Sequence, residues 1–292
     1  MQIERVSIFA SNDIEVGKVT IRPTADIQWE PETSALHSIF LPVAGLCTRH
    51  ESTNRKSILT PNHAIYNPPN NICRYSYPGL FGEFAVSIRL SDSIAPSILD
   101  FRQRNKWHAS QAYVSASTML ARNFLWSAAS EAVVGKLELE SLGIELASAC
   151  LLSMVDHGDE PTSTTSSRRR RAVENVVEAV AASPSENWTI QELSAIAGLS
   201  AFHLCRIFKA HTGLSVGNYV IRERLSQALR PLMDGDDITD LALSHGFSSH
   251  SHFTYRFRRF FGLTPSEFKK STATNQLRAF SKILIATNIA TF

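Results

Sequence analysis

The sequence has few of the features that mark a membrane protein or a disulfide-stabilised secreted protein. Its four cysteines lie far apart, with no Cys-x-x-Cys pair and no Cys/His cluster at zinc spacing. There is no run of about 18 apolar residues, and the N-terminus lacks the basic patch and apolar stretch of a secretory signal. We therefore expect isolated thiols, no membrane span and a cytoplasmic protein.

Motifs of common enzyme classes are also missing. The sequence contains no Gly-rich phosphate loop and no Gly-x-Ser-x-Gly elbow. His37, His50 and His63 are dispersed, so they cannot supply the His-x-His and carboxylate ligands of a metal-dependent cupin enzyme. His250 and His252 lie two positions apart on a predicted helix and project in different directions. We expect no enzyme activity, no bound metal and no cofactor.

The composition fits an ordinary globular protein whose charge is unevenly distributed. The chain has 292 residues, 43% hydrophobic and 19% charged, which is enough for about two domains with apolar cores. Residues 168–292 contain 16 Lys and Arg against 10 Asp and Glu, whereas residues 1–167 contain 13 against 17. The basic C-terminal part is therefore a candidate for binding a polyanion.

Turn signals and apolar periodicity divide the chain into domains. Residues 1–95 contain short apolar or alternating runs between Pro, Gly and Asn turns, a β-rich pattern of sandwich or barrel type. Helical spacing follows over 98–155, so residues 1–156 are predicted to form a sensing and dimerisation domain, β-rich and then helical. These helices either pack within one chain or bind a second subunit.

A polar linker is predicted at 157–171, because this stretch has no large apolar residue to bury. Its last four residues, Arg168–Arg171, are either the exposed start of a helix or a phosphate contact. A helical domain is predicted at 172–270, and the tail at 271–292 is either a helix on the protein surface or a frayed end.

The predicted helical domain contains the same helix, turn and helix pattern twice. In the first copy, Thr189 and Glu192 form a capping box, Gly198 makes the turn and Ser200 caps the next helix. In the second copy, Asp237 caps the first helix and Gly246 makes the turn. The side chains expected to be buried on the two second helices are Leu204, Ile207, Phe208 and His211, and Phe253, Phe257 and Phe260.

The second helix of each copy leaves a polar or basic face exposed. On the first these residues are Phe202, Cys205, Arg206 and Lys209, and on the second they are His250, Ser251, Thr254, Tyr255 and Arg258. A helix with one buried face and one such face fits the major groove of B-DNA, where Arg can bind guanine through two hydrogen bonds. Two copies on a basic segment favour double-stranded promoter or operator DNA as the partner.

The second copy, over Ile238–Ala242 and Gly246–Lys269, resembles the signature of the AraC/XylS family of bacterial transcription regulators. Ser200–Lys209 resembles the first recognition helix of that family, and Tyr219 with Arg224-Leu225 and Ala228 resembles its linker helix. The resemblance implies that two helix-turn-helix motifs enter successive segments of the major groove. The implied DNA-binding residues are Ala201, Phe202, Cys205, Arg206, Lys209, Ser249, His250, Ser251, Thr254, Tyr255 and Arg258.

Individual roles follow from the same resemblance. Arg206 matches the family's main base-contacting arginine, and Cys205 is a weak hydrogen-bonding residue that should discriminate little at its base pair. Phosphate contacts are expected from Arg222, Arg224, Arg258 and Lys269. Arg224 has an alternative role as a structural ion-pair residue.

Two positions depart from the family pattern. Val216 stands where the family usually has Pro, and Pro231 stands where it usually has Leu. Because proline removes an amide hydrogen bond and clashes one turn back, we expect the linker helix to end or kink near Ala228 to Arg230.

The N-terminal half resembles the family's sensor domain more weakly, through Leu59–Pro68. That resemblance implies an α+β chain, with a cupin-like β-barrel and dimerisation helices before the all-α DNA-binding domain. It also implies a small-molecule effector, a homodimer and RNA polymerase as a candidate partner, with activation the commoner outcome in the family. Two alternatives stay open: a ligand-independent stress or architectural regulator, and a DNA-binding domain fused to a small-molecule-modifying enzyme that depends on Cys47 or Cys73.

Overall fold

The fold was obtained as a computed structural model. It describes residues 2–24, 31–32, 34–52, 55–78, 82–95, 98, 110–128, 134–155 and 164–270. The chain divides into two compact units, an N-terminal unit of Met1–Asp156 with the residues from Ser266 onward, and a C-terminal unit of His157–Pro265. The predicted tail at 271–292 lies outside the described residues.

The N-terminal unit is built on two antiparallel sheets. Its strands are β1 (Gln2–Ala10), β2 (Ile14–Arg22), β3 (Pro31–Glu32), β4 (His37–Ala44), β5 (Cys47–Ser52), β6 (Arg55–Leu59), β7 (His63–Asn67), β8 (Cys73–Ser76), β9 (Glu83–Leu90) and β10 (Ser110–Tyr113). One sheet has six strands in the order β1-β2-β9-β4-β7-β10, and the other has four in the order β3-β8-β5-β6. The β-rich N-terminal pattern is therefore confirmed, and the cupin-like relationship stays a prediction.

One hydrophobic cluster draws on both sheets. Val19 and Ile21 from β2 and Ile65 from β7 pack with Leu59 from β6 and Tyr75 from β8. Alternate residues of a strand point to the same face, so Val19 and Ile21 reach this core together. Burial of apolar side chains is the dominant favourable term in folding, and this cluster contributes to it.

Two helices follow the strands, α1 (Ala116–Ala128) and α2 (Lys136–Val155). The fully buried Arg122 of α1 donates a hydrogen bond to the Pro61 carbonyl at 2.6 Å, which ties the helix to the turn before β7. The Phe124 ring of α1 lies 5.8 Å from the ring of Phe268, which groups with this unit. The predicted succession of strands and then helices is confirmed for the described residues.

Helices make up the C-terminal unit. They are α3 (Thr164–Ala182), α4 (Ile190–Ala197), α5 (Ala201–Thr212), α6 (Val216–Asp234), α7 (Ile238–Ser244) and α8 (His250–Phe261), and α9 (Pro265–Lys270) follows them. The expectation that the linker extends to residue 171 is wrong, because α3 begins at Thr164 and contains Arg168–Arg171. Arginine is a good helix former, and Arg170 pairs with Glu174 one turn later at 3.4 Å.

The expectation that the linker helix ends near Ala228 to Arg230 is wrong, and the alternative of a kink there stays a prediction. The helix continues through Pro231 to Asp234, and Gly235 caps its C-terminus by donating its N–H to the Pro231 carbonyl. Tertiary contacts along α6 hold the last turn in place, with Leu229 and Leu232 both fully buried.

Among the described helices, none is both long and apolar enough to span a membrane by itself. Only α4 and α5 together, bent by 78°, meet the length and composition criteria for such a span.

Candidate nucleic-acid interface

The first helix-turn-helix motif consists of α4, a short turn and α5. The capping box is confirmed: Glu192 donates its backbone N–H to the Thr189 hydroxyl, and the Thr189 N–H donates to the Glu192 carboxylate at 2.8 Å. This backbone hydrogen bond, together with one from the Thr189 hydroxyl, lowers the pKa of Glu192. Gly198 adopts the left-handed conformation with φ +64° and ends α4.

The second motif repeats this construction with α7 and α8. Asp237 caps α7 by accepting the N–H groups of Thr239 and Asp240 at 2.8 and 3.2 Å. The turn passes through Gly246, at φ +75°, and Ser249 caps α8 by accepting the His252 N–H. Both motifs therefore form from local signals that are readable in the sequence.

The recognition helix of the first motif, α5, has the two faces that were predicted. Leu204 and Phe208 are fully buried, and the Phe208 ring packs edge-on against Tyr219 of α6 at 5.3 Å. The predicted DNA-contacting residues lie together on the opposite side. Phe202, Cys205, Arg206 and Lys209 are exposed, Phe202 by 81%, and Ala201 is half-exposed.

The prediction that His211 is buried is wrong. It is exposed in the last turn of α5, and the buried position is taken by Thr212. The Thr212 hydroxyl can occupy that position because it donates to the Phe208 carbonyl at 2.8 Å.

The recognition helix of the second motif, α8, packs through an aromatic row. Phe253 and Phe257 are fully buried as predicted, but Phe261 completes the row and Phe260 is half-exposed. Arg222 of α6 lies over the Phe260 ring, with its Cζ 5.7 Å from the ring centre, which is a cation–π contact. The buried aromatic row of α8 is thus Phe253, Phe257 and Phe261, four residues apart at each step, and not Phe253, Phe257 and Phe260 as predicted.

Most of the predicted contact residues of α8 lie on its exposed side. Ser249, His250, Ser251 and Arg258 are exposed, and Tyr255 is 58% exposed. Thr254 departs from the expectation because it is half-buried, and among the described residues its buried hydroxyl has no hydrogen-bond partner. Thr254 is therefore less accessible to a base edge than its neighbours.

One exposed residue on α8 was missed by the sequence reasoning. Arg259 donates from Nη1 to the hydroxyl oxygen of Tyr255 at 3.1 Å. The signal was available, because residues four apart lie next to each other on a helix surface. Arg259 and Tyr255 are thus a pair that faces the same side as the predicted contacts.

The four predicted phosphate contacts differ in accessibility. Arg258 and Lys269 are exposed and Arg222 is half-exposed. Arg224 corrects the expectation: it is 8% exposed, and its guanidinium donates to the carbonyls of Pro184, Glu186 and Gly246. Its role is structural, although the acceptors are carbonyls rather than the carboxylate of an ion pair.

The basic run at the start of α3 is mostly accessible. Arg168, Arg169 and Arg171 are exposed, and Arg170 pairs with Glu174. This placement agrees with the exposed helix start and leaves the alternative of a phosphate contact untested.

The N-terminal unit contains a cavity among the residues of its core cluster. This cavity encloses about 10 Å³, is partly open to solvent, and is lined by apolar side chains of both sheets, by Tyr75 and Tyr77, and by Glu83. Next to it, Asn67 donates to the Tyr75 hydroxyl at 3.1 Å and accepts from the buried Arg49 at 3.5 Å. Apolar side chains with a few polar groups are the usual lining of a small-molecule site, and these side chains have to move to admit a ligand.

A metal centre and a cysteine-based active site are the two other candidate sites. Within these segments, no group of three or more His, Cys, Asp or Glu side chains could hold a metal ion. Cys47, on which the enzyme alternative depends, is 1% exposed within the core cluster, and the side chain of Cys73 lies outside the described part of the chain. A buried thiol in apolar surroundings is a poor nucleophile.

Comparisons with known proteins point to one class. A family model described as a helix-turn-helix domain matches residues 193–271. The probable transcription factor PqrA of Proteus vulgaris is 39% identical over 88 residues, which span 30% of this chain and 72% of PqrA. The transcriptional activator AarP of Providencia stuartii is 30% identical over 91 residues, which span 30% of this chain and 67% of AarP.

One longer relative matches over a smaller share of its length, and one solved structure matches over nearly all of its own. The transcriptional regulator MtrA of Neisseria gonorrhoeae is 33% identical over 97 residues, 33% of this chain and 32% of MtrA. A solved structure of a probable AraC family regulator from Rhodopseudomonas palustris is 34% identical, with a TM-score of 0.33 over 34% of this chain and 95% of that one. These relatives are regulators rather than enzymes. With its two capped helix-turn-helix motifs and this similarity, the chain belongs to the AraC family of transcription regulators.

Proposed function

We propose that this regulator binds a promoter or operator sequence in double-stranded DNA through α5 and α8 together. One observation carries the proposal: each recognition helix buries one face in its own motif and leaves the other face exposed. On α5 that face presents Phe202 and Arg206, and on α8 it presents Ser251 and Tyr255. The major groove admits a helix of this kind, and the side chains supply both apolar and hydrogen-bonding contacts.

Both motifs are expected to contribute contacts to DNA. Ala201, Phe202, Cys205 and Arg206 contact bases from α5, and Ser249, His250, Ser251 and Tyr255 contact DNA from α8. Lys209, Arg222, Arg258, Arg259 and Lys269 supply positive charge for phosphates. Phosphate contacts fix the register and supply most of the affinity, whereas base contacts supply the sequence preference.

The test is selection of binding sites from a pool of random-sequence duplexes by the purified full-length protein, followed by footprinting at two salt concentrations. We expect one recurring sequence with two contacted segments about one helical turn apart, and protection that weakens as salt rises. Recovery of random sequences, or binding that does not depend on salt, would contradict the proposal. As a control, Arg5→Ala removes an exposed arginine on β1 of the N-terminal unit and should select the same sequence as wild type.

We further propose that the cavity of the N-terminal unit binds a small, mostly apolar effector that controls DNA binding. Its lining supports this, because Val19, Phe40 and Ile65 present hydrocarbon while Glu83 and the Tyr77 hydroxyl can accept hydrogen bonds. A compound that binds the folded protein must raise its melting temperature. A panel of small apolar compounds bearing one hydrogen-bond donor is therefore screened by thermal shift, with Phe40→Trp, which fills the cavity, as the control.

The remaining parts of the proposal follow from family membership. They are an activating role, a homodimer formed through the N-terminal unit, contact with RNA polymerase and a cytoplasmic location. Sedimentation of the full-length protein with and without the selected DNA tests the dimer. A monomer at all concentrations, together with no thermal shift from any compound, would favour the ligand-independent regulator instead.

A further inference from the structure

Arg224 lies where three segments of the C-terminal unit meet. It projects from the linker helix α6 and is almost completely buried. Its Nε donates to the Pro184 carbonyl at 2.7 Å, and its two terminal nitrogens donate to the carbonyls of Glu186 and Gly246 at 2.9 and 2.5 Å. One side chain therefore joins the segment before α4 to the turn before α8.

The backbone around this guanidinium is packed too closely for another side chain. A Cβ atom at Gly246 would lie 2.5 Å from the Ser185 carbonyl oxygen and 2.9 Å from the Arg224 Cζ. Gly246 also has φ +75°, which L side chains rarely adopt. The turn of the second motif thus packs closely against the segment that leads into the first motif, and the Arg224 guanidinium contacts both.

Further contacts on α6 strengthen the same junction. The Gln227 side chain, one turn beyond Arg224, donates to the Ala181 carbonyl at the end of α3 at 3.3 Å. The ring of His245 lies near the backbone of Gln227, and the Arg224 Cζ lies 6.0 Å from the Phe247 ring centre. Residues on both sides of Gly246 therefore contact α6 or its arginine.

The segments that meet at Arg224 are the ones that carry the recognition helices. Helix α3 contacts α4 and α5 of the first motif, and α6 contacts α7 and α8 of the second. Ser249 caps α8 a short distance after the turn that Arg224 holds. The orientation of α8 relative to α5 thus depends on this buried group.

We propose that Arg224 is a positioning residue that fixes the spacing between the two DNA segments that the protein accepts. This inference rests on the proposed function, because it requires α5 and α8 to bind one duplex together. Bases one step apart along B-DNA differ in both distance and rotation, so two rigidly joined helices fit only one spacing. With the junction loosened, each helix still binds its own segment but tolerates different spacings.

The competing explanation, that Arg224 contacts a phosphate, predicts different behaviour. Removing a phosphate contact weakens binding about equally on all sequences and lowers the salt slope by about one. Removing a positioning residue leaves the charges at the DNA surface unchanged, so the salt slope stays the same while the spacing preference falls.

The experiment compares full-length wild type, Arg224→Met and the matched control Arg222→Met on the selected duplex, with one base pair inserted or removed between the two segments. We expect wild type to discriminate against both altered duplexes by about tenfold or more, as for one lost base contact. Arg224→Met should lose most of this discrimination with the salt slope unchanged. Arg222→Met should keep the discrimination with a lower slope, because Arg222 is half-exposed.

The inference is overturned if Arg224→Met, folded by circular dichroism, keeps the spacing preference or lowers the salt slope by about one. If wild type selects no sequence at all, the proposed function fails as well. If wild type selects one sequence and Arg224→Met keeps the wild-type spacing preference, this inference fails while the proposed function stands.

A second measurement does not depend on DNA and covers the case in which Arg224→Met fails to fold. Spin labels are placed at Ala210→Cys on α5 and Leu243→Cys on α7, both exposed positions, with Cys73 and Cys205 replaced by serine. We expect one narrow distance distribution with Arg224 present and a clearly broader one in Arg224→Lys, which can satisfy fewer of the three carbonyls. Equal widths would contradict the proposed positioning role.

Discussion

The ring of His245 lies close enough to the backbone of Gln227 for this residue to raise its pKa, and the Gln227 carbonyl is the one that would normally accept the amide hydrogen of position 231. Pro231 has no amide hydrogen, so within α6 this carbonyl is left without its usual donor. The His245 ring, from the turn of the second motif, therefore lies near the carbonyl that the proline leaves without its usual donor, while the buried Leu229 and Leu232 hold the last turn of the helix.

A pH dependence of stability follows from the same histidine. Burial lowers the pKa of His245 from its ordinary value of 6.5, and the opposing effects of the Leu241 and Gln227 backbone and of Asp236 are smaller. The unfolded chain therefore binds a proton more readily than the folded one as pH falls through about 6.5. We expect the free energy of unfolding to decrease with falling pH in that range, measured by urea denaturation.

The variant His245→Gln should reduce this acid sensitivity, because its amide can donate to a carbonyl but does not titrate. His250→Gln is the matched control, because it makes the same substitution at an exposed histidine on α8. Burial also lowers the pKa of His37, and this contribution is common to both variants. An identical pH slope in wild type and His245→Gln would rule out the proposed linkage.

Arg206 and Lys209 are predicted to contribute to DNA binding in different ways. Both are exposed on α5, but Arg206 has the fork that binds guanine, whereas Lys209 near the end of the helix is a point charge. Arg206→Ala should cost about 1–3 kcal/mol on the selected sequence and relax one base position, and Lys209→Ala should weaken all sequences about equally. Binding titrations on the selected duplex and its single-base variants distinguish the two. An unchanged sequence preference in Arg206→Ala would remove it from the interface.

The N-cap of α7 offers a prediction for stability. The Asp237 carboxylate accepts two backbone N–H groups that have no partner within the helix. Asp237→Ala should lower the free energy of unfolding by about 1 kcal/mol, whereas Asp237→Asn should change it by only a few tenths. Chemical denaturation of the three proteins at one pH provides the test, and equal losses in both variants would indicate that charge rather than capping matters at this position.

The parts of the fold that were predicted correctly depend on neighbours in the sequence. Thr189 with Glu192 starts α4, and Asp237 starts α7, through hydrogen bonds that span three residues or fewer. Two of the incorrect expectations, those for Pro231 and Arg224, concern contacts that are distant along the chain. By local rules Pro231 should end a helix and Arg224 should be accessible on an isolated α6. In the folded unit the last turn of α6 is buried, and Arg224 donates to the carbonyl of Gly246, which lies far away in the sequence.

The errors in the recognition helices have a simpler cause. A period of 3.6 residues allows steps of three or four, so Phe260 and Phe261 were both consistent with the buried stripe. The packing of α8 against its neighbours decides in favour of Phe261. Which exposed residues contact bases is a further question that periodicity does not address, and those assignments stay predictions.

The hydrogen bond between Arg259 and Tyr255 leads to a prediction about base preference. Because a guanidinium has no acceptor, the Tyr255 oxygen must accept in this pair, which leaves the phenolic hydrogen free to donate. Tyr255 should therefore favour a base edge that presents an acceptor, such as guanine O6 or thymine O4, over the donor amino group of cytosine. Site selection with Tyr255→Phe should lose this preference at one position. Arg259→Met should weaken it without shifting it to another position, and a Tyr255→Phe protein that selects the wild-type sequence would show that the hydroxyl does not contact a base.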